Sequence, residues 1–281
     1  MKVFSTKELA SSHLRNLKSR GFTIGLVPTM GALHKGHLSL IEKAKKDHDI
    51  VVVSIFVNPT QFDNAEDLKK YPRTLEEDLE KLKRIDCDLV FTPTSEEMYS
   101  KEEAAEMFDF EELDKEMEGK YRDNHFNGVG TIVKKLFEVI QPNSAFFGEK
   151  DFQQLQIIKT LVNITKQPVN IVGCPIHREE DGLAGSSRNR RLTIEQRKSA
   201  PFIYKTIAVA REMKEGHSSP QEINHWVENQ FKNHPHLVLE YFTIAKEKNL
   251  KKTSCFLPKE QYRAFIAVFA GETRLIDNIA L

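Results

Sequence analysis

This 281-residue sequence has no net charge, only three cysteines and no long apolar run. Lys and Arg number 41 and so do Asp and Glu, so the net charge of zero gives no reason to expect nucleic acid or an anionic membrane as a partner. The three cysteines, Cys87, Cys174 and Cys255, lack the spacing of a zinc site or of a disulfide framework. We expect reduced, partly buried thiols.

No apolar run approaches the roughly 18 residues that a membrane-spanning helix needs. The first 20 residues also lack the apolar core of a signal peptide. We therefore expect a cytoplasmic protein without a membrane or nucleic-acid partner, and a small polar substrate remains open. With 40% hydrophobic residues, the chain is long enough for two domains that each bury a core.

Short apolar runs alternate with amphipathic segments from Gly21 onward, as strands and helices do in a parallel α/β sheet. The predicted strands are FTIGLVP, DIVVVSIFV, CDLVFTP, AFFG and VNIVGCPI. The predicted helices are His37–Lys46, Thr74–Arg84, Val129–Ile140 and Phe152–Ile164. Two pairs, Thr74 with Glu77 and Thr193 with Gln196, have capping-box spacing. The pattern predicts a Rossmann-like domain over residues 1–176.

The pattern changes after residue 176. A basic loop, SSRNRRL, precedes a long helix through Lys214, a further helix starts near Pro220, and the β-rich runs LVLEYFTIA and YRAFIAVFA follow. These runs predict a smaller α+β domain over residues 177–281. In the first domain, the acidic segment Glu102–Lys120 predicts an exposed helix or a flap, and we favour a solvated charged face.

The stretch VPTMGALHKGH joins a predicted strand to a predicted helix. In open α/β sheets, ligands bind beyond the carboxyl ends of strands, where a helix N-terminus offers N–H groups to an anion. Gly31 and Gly36 have P-loop spacing, but His37 and Leu38 replace its Lys and its Ser or Thr, which excludes a P-loop. His34 and His37 would then meet the phosphates. Zinc ligation and ordinary surface histidines remain alternatives.

Three other polar stretches stand near predicted strand ends or in a loop. Asn58 and Gln61 in SIFVNPTQF carry neutral groups suited to a hydroxyl or a carboxylate. FFGEKDFQQLQ contains Lys150, whose charge suits phosphates, and Asp151, which could equally be a helix cap. DGLAGSSRNRR offers hydroxyls and Arg188 in a loop apt to close over a triphosphate. Taken alone, the first and third stretches are more typical of ordinary polar loops.

HKGH after a strand resembles the HxGH signature of the nucleotidyltransferase and class I aminoacyl-tRNA synthetase superfamily, which binds ATP and attacks its α-phosphate. Together, PTMGALHKGH, VNPTQF with YPRT downstream, FGEKDFQQ and DGLAGSSRN resemble the pantothenate synthetase family in order and spacing. The resemblance covers almost the whole chain. It implies a ligase that uses ATP to join (R)-pantoate to β-alanine through a pantoyl adenylate, releasing AMP and pyrophosphate, in coenzyme A biosynthesis.

The same resemblance implies a role for particular residues. His34, His37, Lys150 and Arg188 are expected to be catalytic. The residues expected to line the ATP site are Met30, Gly31, Ala32, Leu33, His34, Lys35, Gly36, His37, Gly148, Glu149, Lys150, Asp151, His177, Gly185, Ser186, Ser187 and Arg188. Those expected to bind pantoate or β-alanine are Pro28, Thr29, Met30, Asn58, Gln61 and Gln154.

Three further expectations follow from the resemblance. A magnesium ion should accompany the phosphates, with Glu77 or Asp78 as its carboxylate. The protein should be a homodimer, and the second domain should be a lid over the active site. Two positions depart from the family pattern: Gly185 replaces a common Met or Leu, and His177 replaces an apolar residue. Both are expected near the adenine, so we expect an altered affinity for ATP.

Three alternatives to this ligase remain at the level of the sequence. A nucleotidyltransferase would share HxGH but keep the nucleotide on its product. A nucleotide-binding sensor would keep the pocket without the chemistry. A tRNA-binding synthetase is disfavoured by the balanced charge.

Overall fold

The computed structural model describes residues 1–62, 65–100 and 103–281, which separate into two compact units. The first unit comprises residues 1–149 and 153–175, and the second comprises residues 150–152 and 176–281. Among the helices within these described ranges, none is both long and apolar enough to cross a membrane.

The first unit is a parallel sheet with helices in its connections. Its strands are β1 (Lys2–Phe4), β2 (Ile24–Thr29), β3 (Ile50–Ile55), β4 (Leu89–Phe91), β5 (Ser144–Gly148) and β6 (Asn170–Cys174). Its helices are α1 (Lys7–Ser19), α2 (Lys35–Asp47), α3 (Ala65–Lys70), α4 (Leu75–Arg84), α5 (Ser95–Met98), α6 (Met117–Tyr121), α7 (His125–Ile140) and α8 (Phe152–Thr165, with Phe152 in the second unit). The strand order is β1-β4-β3-β2-β5-β6, and every pairing is parallel.

The central strands are apolar because both faces of the sheet are covered. Val51, Val52 and Val53 of β3 are fully buried, as are Leu26 and Val27 of β2. Parallel sheets are typically covered by helices on both faces, so such continuous apolar runs, rather than alternating ones, mark their strands. All five predicted strands are confirmed, and the four predicted helices are confirmed with ends that differ by a few residues.

The second unit combines helices with an antiparallel sheet. Its elements are α9 (Ile194–Ser199), α10 (Phe202–Glu215), α11 (Pro220–Phe231), β7 (Val238–Lys246), β8 (Tyr262–Ala270) and β9 (Thr273–Ala280), with the strand order β7-β8-β9. The capping box of Thr193 and Gln196 is confirmed at the start of α9. The single long helix is wrong, because α9 ends at Ser199 and Pro201, which has no N–H to continue it, precedes α10.

Two local predictions in the first unit are wrong. The Thr74 side chain makes no capping bond and instead donates to Asp78 Oδ2 at 3.1 Å. Glu102 lies outside the described residues. The rest of the acidic segment contains the short helix α6 and packs by its apolar side chains, with Phe110 only 1% exposed. Its charged side chains also form ion pairs with other elements: Glu106 Oε2 lies 2.7 Å from Lys134 Nζ of α7.

The cysteines are free thiols. Burial raises the pKa of Cys87 and of Cys174 to about 11, so both stay protonated at neutral pH. Cys255 is exposed, which corrects the expectation that all three are partly buried.

Candidate active site

The topology of the sheet changes direction between β2 and β5. β3, β4 and β1 lie on one side of β2, whereas β5 and β6 lie on the other, and Leu26 of β2 pairs with Ala145 of β5. β2 ends at Thr29 and β5 at Gly148, so the chain leaves both strands at the same edge of the sheet. Open α/β sheets bind ligands at such a switch point. The histidine turn therefore begins where this fold places ligands.

The turn after β2 has an unusual backbone. Gly31 has φ of 82° and Ala32 has φ of 50°, both in the left-handed region. A side chain at Gly31 would place its Cβ 3.1 Å from Ile55 Cγ2 and 3.2 Å from Asp78 Oδ2, so glycine is required there. A left-handed Ala costs about 1–3 kcal/mol and persists only where its surroundings hold it. Thr29 Oγ1 accepts the N–H of Gly31 at 3.2 Å and begins this support.

The two histidines of the turn form the cap of α2. His34 is the N-cap residue, and its Nδ1 accepts the N–H of Gly36 at 3.1 Å. His37 Nδ1 accepts the N–H of His34 at 3.4 Å, and the ring centroids are 4.1 Å apart. Because each Nδ1 is an acceptor, the neutral rings carry their hydrogen on Nε2. Each ring thus becomes an N–H donor fixed at a helix N-terminus, which is a suitable arrangement for an anion.

Neither of the two alternatives for these histidines is favoured by this geometry. Their Nδ1 atoms bond to backbone N–H groups within the turn, which ordinary surface histidines do not require. Within the described ranges, no three His, Cys, Asp or Glu side chains gather as they would to hold a metal ion. Lys35 and Gly36 lie between the two histidines in the sequence. Lys35 is the first residue of α2 and is exposed, whereas Gly36 is half-buried.

A second group of predicted residues lies in the turn after β3. Asn58 is 1% exposed, and its Nδ2 donates to Gln61 Oε1 and to the carbonyl of Gly128, both at 3.1 Å. Gln61 Nε2 contacts Met30 Sδ at 3.1 Å. The structure therefore connects Asn58 and Gln61 with Met30 of the histidine turn. Thr29 Oγ1, on the adjacent strand, donates to the carbonyl of Ser54 at 2.8 Å, and Pro28 lies within β2.

Three residues that support this group were not predicted from the sequence. The hydroxyl of Tyr99 donates to Asn58 Oδ1 at 2.6 Å, and His125 Nδ1 bonds the carbonyl of Gln61 at 2.8 Å. A Cβ at Gly128 would lie 2.3 Å from the carbonyl oxygen of Thr60, so glycine allows α7 to approach the turn. The predicted helix began at Val129, one residue after Gly128, so the packing role of this glycine had no signal within the predicted pattern.

The predicted residues after β5 divide between the two units. Gly148 and Glu149 belong to the first unit, and Gln154 lies half-buried in the first turn of α8. Lys150 and Asp151 belong to the second unit, where Lys150 Nζ lies 3.7 Å from Asp151 Oδ1. Asp151 is exposed just before α8.

Lys150 lines a cleft of the second unit. Its side chain is 17% exposed, and its carbonyl accepts a 2.9 Å hydrogen bond from Asn278 Nδ2 on β9. The cleft is lined by Lys150, Leu183, Ala184, Ser186, Arg188, Asn189, Ile203, Arg274, Leu275, Ile276 and Asp277. Three predicted ATP-site residues, Lys150, Ser186 and Arg188, thus share one concave surface. Ser187 begins the adjoining short 3-10 helix, in which Ser186 Oγ accepts the N–H of Arg188 at 3.2 Å.

The two positions that depart from the family pattern are partners in the structure. The N–H of Gly185 donates to the carbonyl of His177 at 2.9 Å, and Arg178 pairs with Ala184 in an antiparallel bridge. Residues 177–185 therefore form a small hairpin whose turn contains Gly182, with φ of 91°. His177 and Gly185 face each other across it, so both departures fall at one place in the second unit.

A buried ion pair anchors this hairpin. Arg178 donates to both oxygens of Asp277 at 2.7 and 3.0 Å, and Asp277 is 4% exposed. The guanidinium also donates to the carbonyl of Gly182 at 3.1 Å and stacks 3.8 Å from the ring centroid of Tyr204. Burial raises the pKa of Asp277, and the Arg178 hydrogen bonds oppose that rise. The pair was not predicted from the sequence because its partners are 99 residues apart.

The two carboxylates predicted to be associated with magnesium differ sharply. Glu77 is 64% exposed, with its Oε2 at 4.0 Å from Lys81 Nζ. Asp78 is fully buried, and its oxygens accept from the N–H groups of Ala32 and Leu33 at 2.7 and 2.8 Å. A carboxylate surrounded by protein donors does not fit a magnesium ion, which needs open oxygen ligands and water. The structure thus corrects the assignment of Asp78.

A doubly wound parallel sheet with an HxGH turn at its switch point defines a nucleotide-binding enzyme of the nucleotidyltransferase and synthetase class. Comparison with known proteins narrows this class. The family model described as pantoate-beta-alanine ligase matches residues 2–280. The pantothenate synthetase of Christiangramia forsetii is 57% identical over 282 residues, covering 100% of this chain and 99% of that protein. That of Porphyromonas gingivalis is 46% identical over 279 residues, covering 99% of both.

Solved structures agree with the family match. The pantothenate synthetase of Thermus thermophilus superposes with a TM-score of 0.90 at 40% identity and covers 99% of both chains. The pantoate-beta-alanine ligase of Francisella tularensis, solved with beta-gamma ATP and beta-alanine, gives a TM-score of 0.81 at 34% identity over 100% of this chain and 97% of that one. This chain belongs to the pantoate–β-alanine ligase family. It is therefore an acid–amine ligase of pantothenate biosynthesis.

Proposed function

We propose that this enzyme joins (R)-pantoate to β-alanine in two steps that consume ATP. A carboxylate does not acylate an amine at neutral pH, because its oxygen is a poor leaving group. In the first step, a pantoate carboxylate oxygen bonds to the α-phosphorus while the bond to the β-phosphate oxygen breaks, giving pantoyl adenylate and pyrophosphate. In the second, the β-alanine nitrogen bonds to the acyl carbon, AMP leaves, and the nitrogen loses a proton.

The protein contributes positioning and electrostatic stabilisation in this scheme, and no enzyme nucleophile is required. The observation that carries the proposal is the cap of α2, where His34 and His37 present Nε2–H donors beside a helix N-terminus at the switch point of the sheet. We assign both rings to the phosphates of ATP. His37 would also donate to the leaving pyrophosphate as charge moves onto it.

The cleft of the second unit supplies positive charge for the same substrate. We assign Lys150 and Arg188 to the phosphates, because both line the cleft and an ammonium and a guanidinium group suit phosphate oxygens. Ser186 and Ser187 add hydroxyl donors from the adjoining loop. His177 and Gly185 are assigned to the adenine, and their unusual side chains would set the affinity of the site for ATP.

The pantoate carboxylate and hydroxyls fit the neutral group after β3. Asn58, Gln61 and Met30 form a connected, largely buried set of polar and sulfur atoms. Neutral groups orient a carboxylate without weakening it as a nucleophile through a strong ion pair. We assign Gln61 and Gln154 to pantoate, with Pro28, Thr29, Met30 and Asn58 around it.

Magnesium is proposed to enter with ATP. When bound, it would neutralise charge on the phosphates. Glu77 is the exposed carboxylate of the predicted pair and fits that role, whereas Asp78 does not.

We also propose a homodimer in the cytoplasm, because of the family resemblance. We further propose a domain boundary near residue 176, with the second domain as a lid.

The test of the two-step reaction is ATP–pyrophosphate exchange with labelled pyrophosphate. We expect exchange that requires pantoate and proceeds without β-alanine, and stoichiometric AMP release when β-alanine is added. Exchange without pantoate, or a product that retains the nucleotide, would establish a nucleotidyltransferase instead. Binding of ATP without any turnover would establish a sensor.

A substitution at Gln154 tests the pantoate assignment. Gln154→Ala should raise the pantoate concentration needed for half-maximal exchange about tenfold, since one hydrogen bond to a charged group contributes roughly 1.5–3 kcal/mol. Its dependence on ATP should be unchanged. Gln156→Ala, on the same helix, is the matched control, and equal pantoate dependence in the two variants would contradict the assignment.

A further inference from the structure

The buried carboxylate of Asp78 is bonded to the backbone of the histidine turn. It lies on the first turn of α4 and is 0% exposed. Its Oδ2 accepts the N–H of Ala32 at 2.7 Å, and its Oδ1 accepts the N–H of Leu33 at 2.8 Å. These residues lie more than 40 positions away in the sequence, so the contact joins two separate elements. Asp78 therefore joins α4 to the histidine turn.

Lys81, one helical turn further along α4, completes the contact. Its Nζ donates to the carbonyl of Leu33 at 2.9 Å and lies 3.3 Å from Asp78 Oδ1. Both the N–H and the carbonyl of Leu33 are thus fixed by α4. Lys81 also neutralises the carboxylate, which would otherwise be a buried and isolated charge.

The contact explains how the left-handed conformation of Ala32 is maintained. A non-glycine residue with φ of 50° is strained, and it persists where its surroundings over-determine it. The N–H of Ala32 and that of Leu33 point at one carboxylate, so a change in the backbone at either residue would break a charge-assisted hydrogen bond. His34 follows directly and caps α2.

Two simpler roles for Asp78 do not account for these bonds. An acidic residue in the first turn of a helix often stabilises that helix through its dipole, but that role does not explain the two hydrogen bonds that Asp78 accepts from backbone N–H groups of another segment. A metal ligand would present an open oxygen, whereas four donors surround this carboxylate: two backbone N–H groups, Thr74 Oγ1 and Lys81 Nζ.

We propose that Asp78, supported by Lys81, is the positioning residue that holds the turn of residues 30–37 in the conformation that receives the ATP phosphates. The inference rests on the proposed function, because it takes this turn to be the nucleotide site. It assigns Asp78 a role in ATP affinity that does not depend on a divalent metal.

The test is the dissociation constant of ATP in EDTA, measured by calorimetry well below the melting temperature. Asp78→Asn keeps the shape of the side chain but turns an NH2 group toward one backbone N–H, leaving that donor without an acceptor. We expect ATP binding to weaken by about tenfold or more, since a buried donor without an acceptor costs roughly 1–3 kcal/mol. Lys81→Met should weaken it in the same direction. Glu80→Gln, exposed on the same helix, is the matched control and should bind as the unchanged protein does.

Magnesium titration separates the positioning role from a metal role. The magnesium concentration that gives half-maximal exchange should be the same in Asp78→Asn and in the unchanged protein. A shifted magnesium midpoint with unchanged ATP binding in EDTA would overturn the proposal, and so would a lower melting temperature with unchanged ATP affinity. If Asp78→Asn does not fold, unchanged ATP binding by folded Lys81→Met would overturn it. If the unchanged protein binds no ATP even with magnesium present, the proposed function fails instead.

Discussion

In the turn of residues 30–37, side chains of α4 bond the backbone at Ala32 and Leu33, whereas the segment of residues 177–191 is anchored at its base, the hairpin of residues 177–185, by an ion pair. In the first unit, Asp78 and Lys81 bond the backbone at Ala32 and Leu33, immediately before His34. In the second unit, Arg178 and Asp277 hold the hairpin. Beyond the hairpin, Asn189 Nδ2 donates to the carbonyl of Ala184 at 3.0 Å within the same segment.

This difference indicates different roles for the two segments. Hydrogen-bond donors that stabilise charge developing in a transition state work best when they are held in place before the reaction. No energy is then spent on reorienting them. A loop that admits and releases a nucleotide needs a firm base and an adaptable end. We therefore expect substitutions in the first segment to affect chemistry, and those at the base of the second to affect stability.

The largest effect should come from Arg178→Met. This change leaves the Asp277 carboxylate buried without its partner and removes the stacking on Tyr204. Breaking a buried ion pair costs about 3–5 kcal/mol. Chemical denaturation should show this loss, and hydrogen exchange should become faster in residues 177–191 and in β9 but not in residues 24–47.

The matched control for this prediction is Arg211→Met, on the exposed face of α10. It should change stability by no more than about 0.5 kcal/mol. Equal losses in the two variants, or equally faster exchange around His34, would remove the distinction between the two segments.

His37→Ala should have the next largest effect, and mainly on chemistry. The variant loses the N–H donor that we assign to the phosphates, and such a loss lowers the rate by about 10²–10³-fold in comparable sites. It also loses half of the capping box of α2, which costs about 1 kcal/mol. Pyrophosphate exchange measures the rate and thermal unfolding measures the stability. His225→Ala, on α11 of the second unit, is the control and should leave the exchange rate unchanged. Near-normal exchange by His37→Ala would show that the first segment does not carry the chemistry.

Much of the fold was predictable because burial and periodicity are local signals. The strands of the parallel sheet are short apolar runs, and the histidine turn stands out by its glycines and its position after a strand. β9 was missed since Asp277 and Asn278 interrupt its apolar pattern, and only the structure shows that both are buried in polar contacts. α1, which begins at Lys7, was also missed.

The supporting residues of the site were less predictable than the residues expected to meet substrate. The family resemblance implied Glu77 or Asp78 as the metal carboxylate, and a sequence does not reveal which of two neighbouring carboxylates is buried. Tyr99 and His125 act through Asn58 and Gln61, and they come from parts of the chain 41 and 64 positions away. Such roles depend on tertiary packing, which no local pattern encodes.

Gly182→Ala should have a smaller effect that combines stability with ATP binding. The φ of 91° disfavours any side chain, and a Cβ there would lie 2.4 Å from Tyr204 Cδ1. Strain of this kind costs about 1–3 kcal/mol. Displacement of Tyr204 would disturb Arg178, so the concentration of ATP for half-maximal exchange should also rise. Gly216→Ala, where φ is −78°, is the control and should be neutral or slightly stabilising. Equal melting temperatures of the two variants would show that the hairpin is held less firmly than the proposed difference between the two segments requires.

The smallest effect should be a pH-dependent one at the exposed end of the same hairpin. Burial alone would raise the pKa of Asp181, but hydrogen bonds from Arg197 and from the N–H of Leu183 outweigh it, and the pKa lies below its ordinary value. The Asp181 carboxyl therefore binds a proton more readily in the unfolded chain than in the folded one. The ion pair of Asp181 with Arg197 stabilises the fold fully above the ordinary pKa of about 3.9. This stabilisation is lost as the pH falls through the lowered pKa of the folded state. Because both side chains are more than a third exposed, the contribution should be below about 1 kcal/mol. Asp181→Asn should accordingly melt slightly earlier than the unchanged protein at pH 7, and the difference should shrink below about pH 4. A difference that persists at low pH would mean that Asp181 supports the hairpin by its shape and its Leu183 bond rather than by its charge.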